Sequence, residues 1–173
     1  MYEVGDIVIY GKQGVCRIEE IGSISITSHD DTTQYYTLVS VYGTGKTYTP
    51  VDTEVYMRPI MTLEEVQNII KEIPNIEGHA IHFKSIREMT DYYKNSIESY
   101  EWERLISVIK TVYFKAQHIK QQGKKLGQID ERYKKEAEQL LYQEFAIAMD
   151  ISIDAVDMYI TSIMEEEKNK VST

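Results

Sequence analysis

A second cysteine is missing. With Cys16 as the one cysteine among 173 residues, neither an internal disulfide nor a multi-cysteine zinc site can form. Cys16 lies in VCRIEEI, which reads as a strand, and is expected to be a small structural residue. As a nucleophile it would need a positioned histidine, and none of His29, His79, His82 and His118 lies in a recognisable motif. Apolar runs are short as well: none approaches the roughly 18 residues of a membrane-spanning helix. The opening MYEVGD has neither the basic nor the apolar region of a signal peptide, so a cytoplasmic location is expected. Positive charge is also scarce, with 19 Lys and Arg against 28 Asp and Glu, a net charge of −9 that argues against non-specific coating of nucleic acid.

The parts of a catalytic site are lacking too. VYGTGKTYTPVD, from Val41 to Asp52, contains the GKT of a phosphate-binding loop at Gly45, Lys46 and Thr47. Such a loop needs another glycine five residues earlier, where Ser40 stands, and a helix starting at the GKT. Thr47, Tyr48, Thr49 and Pro50 are instead a β-branched, aromatic, proline-ended run that reads as a strand. The stretch is therefore a tight turn between two strands, with Lys46 on the second. SHDDTT, from Ser28 to Thr33, is a polar loop whose two aspartates beside one histidine are too few for a metal site. No convergent acid, base or metal constellation is found, so no enzyme, cofactor or small-molecule substrate is expected.

What is present divides by period. Val8 to Tyr10, Val15 to Ile21, Tyr35 to Val41, Lys46 to Pro50 and Val55 to Arg58 read as short strands separated by glycine-rich or polar turns. Five short strands with tight turns favour a small barrel or a strongly bent sheet. After Arg58 the period becomes helical. Thr62 with Glu65 forms a capping box for a helix to about Glu72, before Pro74, and Ile73 to Ala80 reads as a linker or bend. A second helix is expected over about Lys84 to Tyr100. In a third, Leu105, Val108, Ile109, Val112, Ala116 and Ile119 recur at helical spacing until Gly123. Asp130 and Ser152 open a fourth and a fifth. The fold class is thus α+β and multidomain: a β barrel of about five strands followed by an all-helical domain of about five helices.

Charge is unevenly spread along these helices. From Arg104 to Ile129 there is no acid, while Arg104, Lys110, Lys115, Lys120, Lys124 and Lys125 supply six positive charges. Two readings are open, a solvated helix face and a surface that brings a polyanion to one side of an acidic molecule.

Two groups of residues carry a family resemblance. VGDIVIYGKQGVCRIEEI, from Val4 to Ile21, is similar to the opening of the CarD/CdnL family of bacterial transcription regulators. YYKNSIE (Tyr92 to Glu98), the helix from Glu101 to Gln121, LGQIDERY (Leu126 to Tyr133) and AEQLLYQEFAIA (Ala137 to Ala148) resemble that family's helical domain in order and spacing. The resemblance implies a Tudor-like RNA polymerase-interacting domain over residues 1–60, docking on the polymerase β subunit. It implies a helical, DNA-contacting domain over 61–173, meeting promoter DNA near the upstream edge of the melted region. There a tryptophan wedge and basic side chains would stabilise the open complex without catalysis. No membrane partner is implied.

Carried over residue by residue, the resemblance places the wedge at Met89, ahead of Tyr93 and Lys94. A methionine can enter a partly unstacked base step, but core packing is the equally open alternative. Trp102, the sole tryptophan, falls beyond the matching position, where it either packs between helices or serves as a shifted wedge. Asp91 and Tyr92 replace the family's basic pair, which leaves Arg87, Lys94, Lys110, Lys115, Lys120, Lys124 and Lys125 to meet phosphates. On the polymerase side, two arginines used by some members correspond to Ile24 and Tyr48, so docking would rely on strand edge, apolar contact or Lys46. A purely structural hairpin is the alternative there. For the whole chain, the alternative is an adaptor that docks on polymerase but whose helical domain binds another protein.

Overall fold

The computed structural model describes residues 1–24, 32–78 and 82–172. His29 and His79, most of the expected Ser28–Thr33 loop and the end of the expected linker lie outside these residues. The chain forms two compact units, Met1–Thr62 and Leu63–Thr173.

The first unit is an antiparallel sheet of β1 (Ile7–Tyr10), β2 (Gly14–Gly22), β3 (Tyr35–Ser40), β4 (Lys46–Pro50) and β5 (Met57–Pro59). The strand order is β4-β3-β2-β1-β5, each pair antiparallel. A single 3-10 turn over Gly11–Gln13 joins β1 to β2, and it closes at Gly14, whose φ of 74° suits glycine. Alternate residues share a face in each strand, so Val8 and Tyr10, Cys16 and Ile18, and Tyr36 and Leu38 fill one core, with Tyr2, Ile21, Val51 and Met57 packed against it. Cys16 is fully buried within this cluster, and burial pushes its thiol pKa up.

This sheet is strongly curved. In a flat sheet β1 and β4 would lie about 14 Å apart, three strand spacings. Yet the Tyr10 hydroxyl donates to Thr49 Oγ1 at 3.0 Å, with both residues buried. Gln13, in the β1–β2 turn, likewise hydrogen-bonds Thr47 of β4. A register irregularity between Ile18 and Glu20 bends β2 where it pairs with β3.

The second unit has α1 (Leu63–Glu72), a 3-10 turn (Ile73–Asn75), α2 (Ile86–Ser99), α3 (Trp102–Gln121), α4 (Gln128–Met149) and α5 (Ile153–Val171). Ser85 caps α2 by accepting from the Glu88 N–H, while the Glu88 carboxylate accepts from the Lys84 N–H, a reciprocal pair. Ser152 caps α5 in the same way through the Ala155 N–H. Gly123, with φ 70°, ends α3. α3 and α4 pack most extensively, joined by α2 on one flank and α5 on another. No helix among the described residues is long and apolar enough to cross a membrane.

Candidate functional site

In the first unit, the residues of interest lie on β4. Among the described residues its one ladder partner is β3, which leaves its other edge for strand addition. The GKT leads into this strand: Gly45 turns with φ 107° and Lys46 begins β4, with no helix. Tyr48 is 45% exposed, and Tyr42, in the preceding turn, is 42% exposed, so two aromatic rings flank the edge. Lys46 is exposed but pairs with the Glu19 carboxylate, which raises the lysine pKa and cancels its charge locally. Ile24 is half-buried just beyond β2. What this edge offers is main-chain hydrogen bonding and tyrosine surface rather than net positive charge.

The second unit separates the residues expected to touch DNA. Lys110 requires a correction. It lies fully buried, where Nζ donates to Ile73 O at 2.9 Å, Ile76 O at 2.7 Å and Glu167 Oε1 at 2.9 Å. All three ammonium N–H groups are used, so no phosphate can reach it. For Met89 the geometry favours the core-packing alternative: it is 8% exposed, and its sulfur lies 3.4 Å from Nζ of Lys115. A side chain so covered offers little surface for wedging a base step.

Lys115 is intermediate. Its Nζ lies 2.7 Å from Asp130 Oδ2, with the lysine side chain 36% exposed and the aspartate 4%. Asp130 accepts a second, short bond of 2.6 Å from the Tyr93 hydroxyl. Burial, more than that bond, pushes the Tyr93 pKa strongly upward. Tyr93 also touches the rings of Phe83, Tyr92 and Tyr133. This polar knot, tying α2, α3 and α4, has no counterpart in the readings of the sequence. The carboxylate that organises it stands just past the acid-free stretch and reads there as a helix start.

The remaining cations are exposed. Arg87, with its side chain 92% exposed, meets Asp91 only at 3.9 Å. Lys94 is exposed on α2, and Lys120, Lys124 and Lys125 are exposed at the end of α3 and beyond it. Trp102 is half-buried as the first residue of α3. Eighteen residues of helix, about 27 Å, separate it from Lys120, so the expected contacts form two groups rather than one patch.

One of those groups borders a groove of about 800 Å³ between the start of α2 and the second half of α3. Along α3 its wall is Thr111, Phe114, Lys115, His118 and Ile119, a stripe at helical spacing. Along α2 it is Ser85, Ile86 and Met89, preceded by His82 and Phe83. The sequence did not signal it: fully buried positions in α3 stop at Val112, and Ala116 and Ile119, which continue the apolar spacing, are only half-buried.

The first unit is a small, strongly curved antiparallel sheet, and the second is a helical bundle. Residues 2–61 match the family model of the CarD-like/TRCF RID domain. The first unit is a domain of that type. The match stops at Met61, before the helical unit begins at Leu63. No curated protein matches the chain.

Proposed function

We propose that this chain is a non-catalytic transcription regulator of the bacterial cytoplasm. Its first 60 residues dock on the RNA polymerase β subunit, and residues 61–173 contact promoter DNA near the upstream edge of the melted region, prolonging the open complex. The observation that carries this reading is the RID-type domain over residues 2–61, a polymerase-interacting class, with the open edge of β4 available for strand addition. Tyr48 and Tyr42 supply the side-chain contact, and Lys46 stays with Glu19.

On the DNA side, the exposed Arg87, Lys94, Lys120, Lys124 and Lys125 are the phosphate contacts. Met89 and Lys110 are support beneath them. An apolar side chain meeting a base step comes from Ile86, 69% exposed beside Arg87, or from Trp102 at the far end of α3. Open-complex lifetime on a bacterial promoter tests the reading. The protein lengthens it, and joint charge reversal of Lys120, Lys124 and Lys125 abolishes the gain. A polymerase pull-down that stays empty at low salt sinks the docking half.

The burial of Met89 and Lys110 and the Arg87–Asp91 pair favour one rival, an adaptor whose helical unit binds another protein. In that case the triple charge reversal leaves the promoter effect unchanged.

A further inference from the structure

The groove of the helical unit has an uncommon combination of walls, floor and rim. Phe83 and Phe114 are half-buried, which leaves part of each ring uncovered, and Ile86 beside them is 69% exposed. Thr111 lines the same space at 4% exposure, and its Oγ1 is buried without a hydrogen-bond partner. A buried hydroxyl left unmet is unfavourable and is relieved by any ligand atom that bonds it. Lys115 contributes an ammonium whose charge Asp130 already balances, so it offers hydrogen bonding without net charge inside the groove.

Charge is placed outside instead. Lys84, Arg87 and Lys120 are exposed next in sequence to the wall residues Phe83, Ile86 and Ile119. A ligand that matches this pattern has a flat, uncharged, hydrogen-bonding part for the interior and anionic groups for the rim. A volume of about 800 Å³ suits a body of nucleotide size. Aromatic walls with a cationic rim are the usual chemistry of single-strand binding, where bases stack and phosphates track the cations.

We infer that the groove between α2 and α3 receives an unpaired base of a single-stranded nucleic-acid segment, with the adjoining phosphates on Lys84, Arg87 and Lys120. The inference rests on the DNA-contacting reading of the helical unit and adds the state of the strand it holds. Thr111, His118 and Lys115 meet the base edge, and the phenylalanine rings meet its face.

The test is fluorescence anisotropy of the full chain at low salt, with a labelled oligothymidylate and with the same strand in an oligo(dA)·oligo(dT) duplex. The single strand is expected to bind about tenfold tighter than the duplex, and Phe114→Ala removes most of that preference. Thr111→Val keeps the side-chain shape while deleting the hydroxyl. It lowers single-strand affinity severalfold without lowering the melting temperature, and it carries the test should Phe114→Ala lose its helical signal. Equal affinity for strand and duplex, unmoved by either variant, overturns the inference and leaves duplex contact standing. Binding of neither overturns both. Uptake of anilinonaphthalene sulfonate without strand binding also overturns it, and assigns the groove to a small apolar ligand.

Discussion

Lys110 of α3 and Glu167 of α5 form an ion pair, Nζ to Oε1 at 2.9 Å, in which the lysine is wholly buried and the glutamate 13% exposed. With the Ile73 and Ile76 carbonyls on the same ammonium, it fastens the turn after α1 to both helices. Lys110→Met leaves the Glu167 charge and two carbonyls without their donor and should cost about 3 kcal/mol in urea unfolding. Lys120→Met, on the exposed end of the same helix, should stay within about 0.5 kcal/mol. DNA binding separates the two in the opposite sense. The salt slope falls by about one for Lys120→Met and is unchanged for Lys110→Met.

Two buried tyrosines should respond oppositely to loss of their hydroxyls. Tyr93 donates to Asp130 at 2.6 Å, so Tyr93→Phe removes a charge-assisted bond and should cost about 1–3 kcal/mol. The Tyr142 hydroxyl is buried without a hydrogen-bond partner, so Tyr142→Phe should be neutral or stabilising by about 1 kcal/mol. Equilibrium unfolding of both variants checks the contrast.

Burial raises the pKa of both tyrosines above the ordinary 10.0. The folded state therefore holds their protons where the unfolded chain releases them. Their contribution is complete below pH 10 and is lost as pH rises above it. Stability measured from pH 8 to 11 should fall on the alkaline side, and less steeply in a Tyr93→Phe, Tyr142→Phe double variant. An equal slope in that variant would rule the two tyrosines out as the cause.

On β4, neighbouring residues should divide binding from stability. Tyr48 is 45% exposed, so Tyr48→Ala should weaken polymerase binding about tenfold with the melting temperature unchanged. Thr49 is 3% exposed and accepts the Tyr10 hydroxyl, so Thr49→Val should cost about 1–3 kcal/mol and leave the exposed edge intact. Titration against isolated polymerase and thermal melts of each variant provide both readouts.

Gly78 presses on α3, where an added Cβ would stand 2.4 Å from Lys110 Cβ and 3.1 Å from the Thr111 nitrogen. One of those contacts is backbone and the other belongs to the buried lysine. Gly78→Ala should therefore cost about 1–3 kcal/mol, read as a lower urea midpoint.

The strands and helices were legible because both are local. Alternation in Val8 and Tyr10, Cys16 and Ile18, and Tyr36 and Leu38 names one face of a sheet, and Ser152 and Gly123 mark helix ends through bonds and angles within a few residues. The same locality settled that GKT leads into a strand. It favoured a bent sheet but could not name the contact that brings β1 to β4, since Tyr10 and Thr49 are 39 residues apart.

The site was legible only in part. Exposed cations such as Arg87 and Lys120 can be read singly, because Lys and Arg stay in water unless buried partners meet them. Lys110 reads identically in the sequence, yet its partner lies 57 residues later, and only the packing of α3 against α5 brings the carboxylate to it. Likewise Met89 is buried with its sulfur beside Lys115 Nζ, which reaches on to Asp130. By itself the sequence determined which segments are strands and helices and where positive charge gathers. The tertiary structure decided which of those charges face solvent, because burying a charge takes oppositely charged and hydrogen-bonding groups from distant segments, and only the assembled helices bring them together.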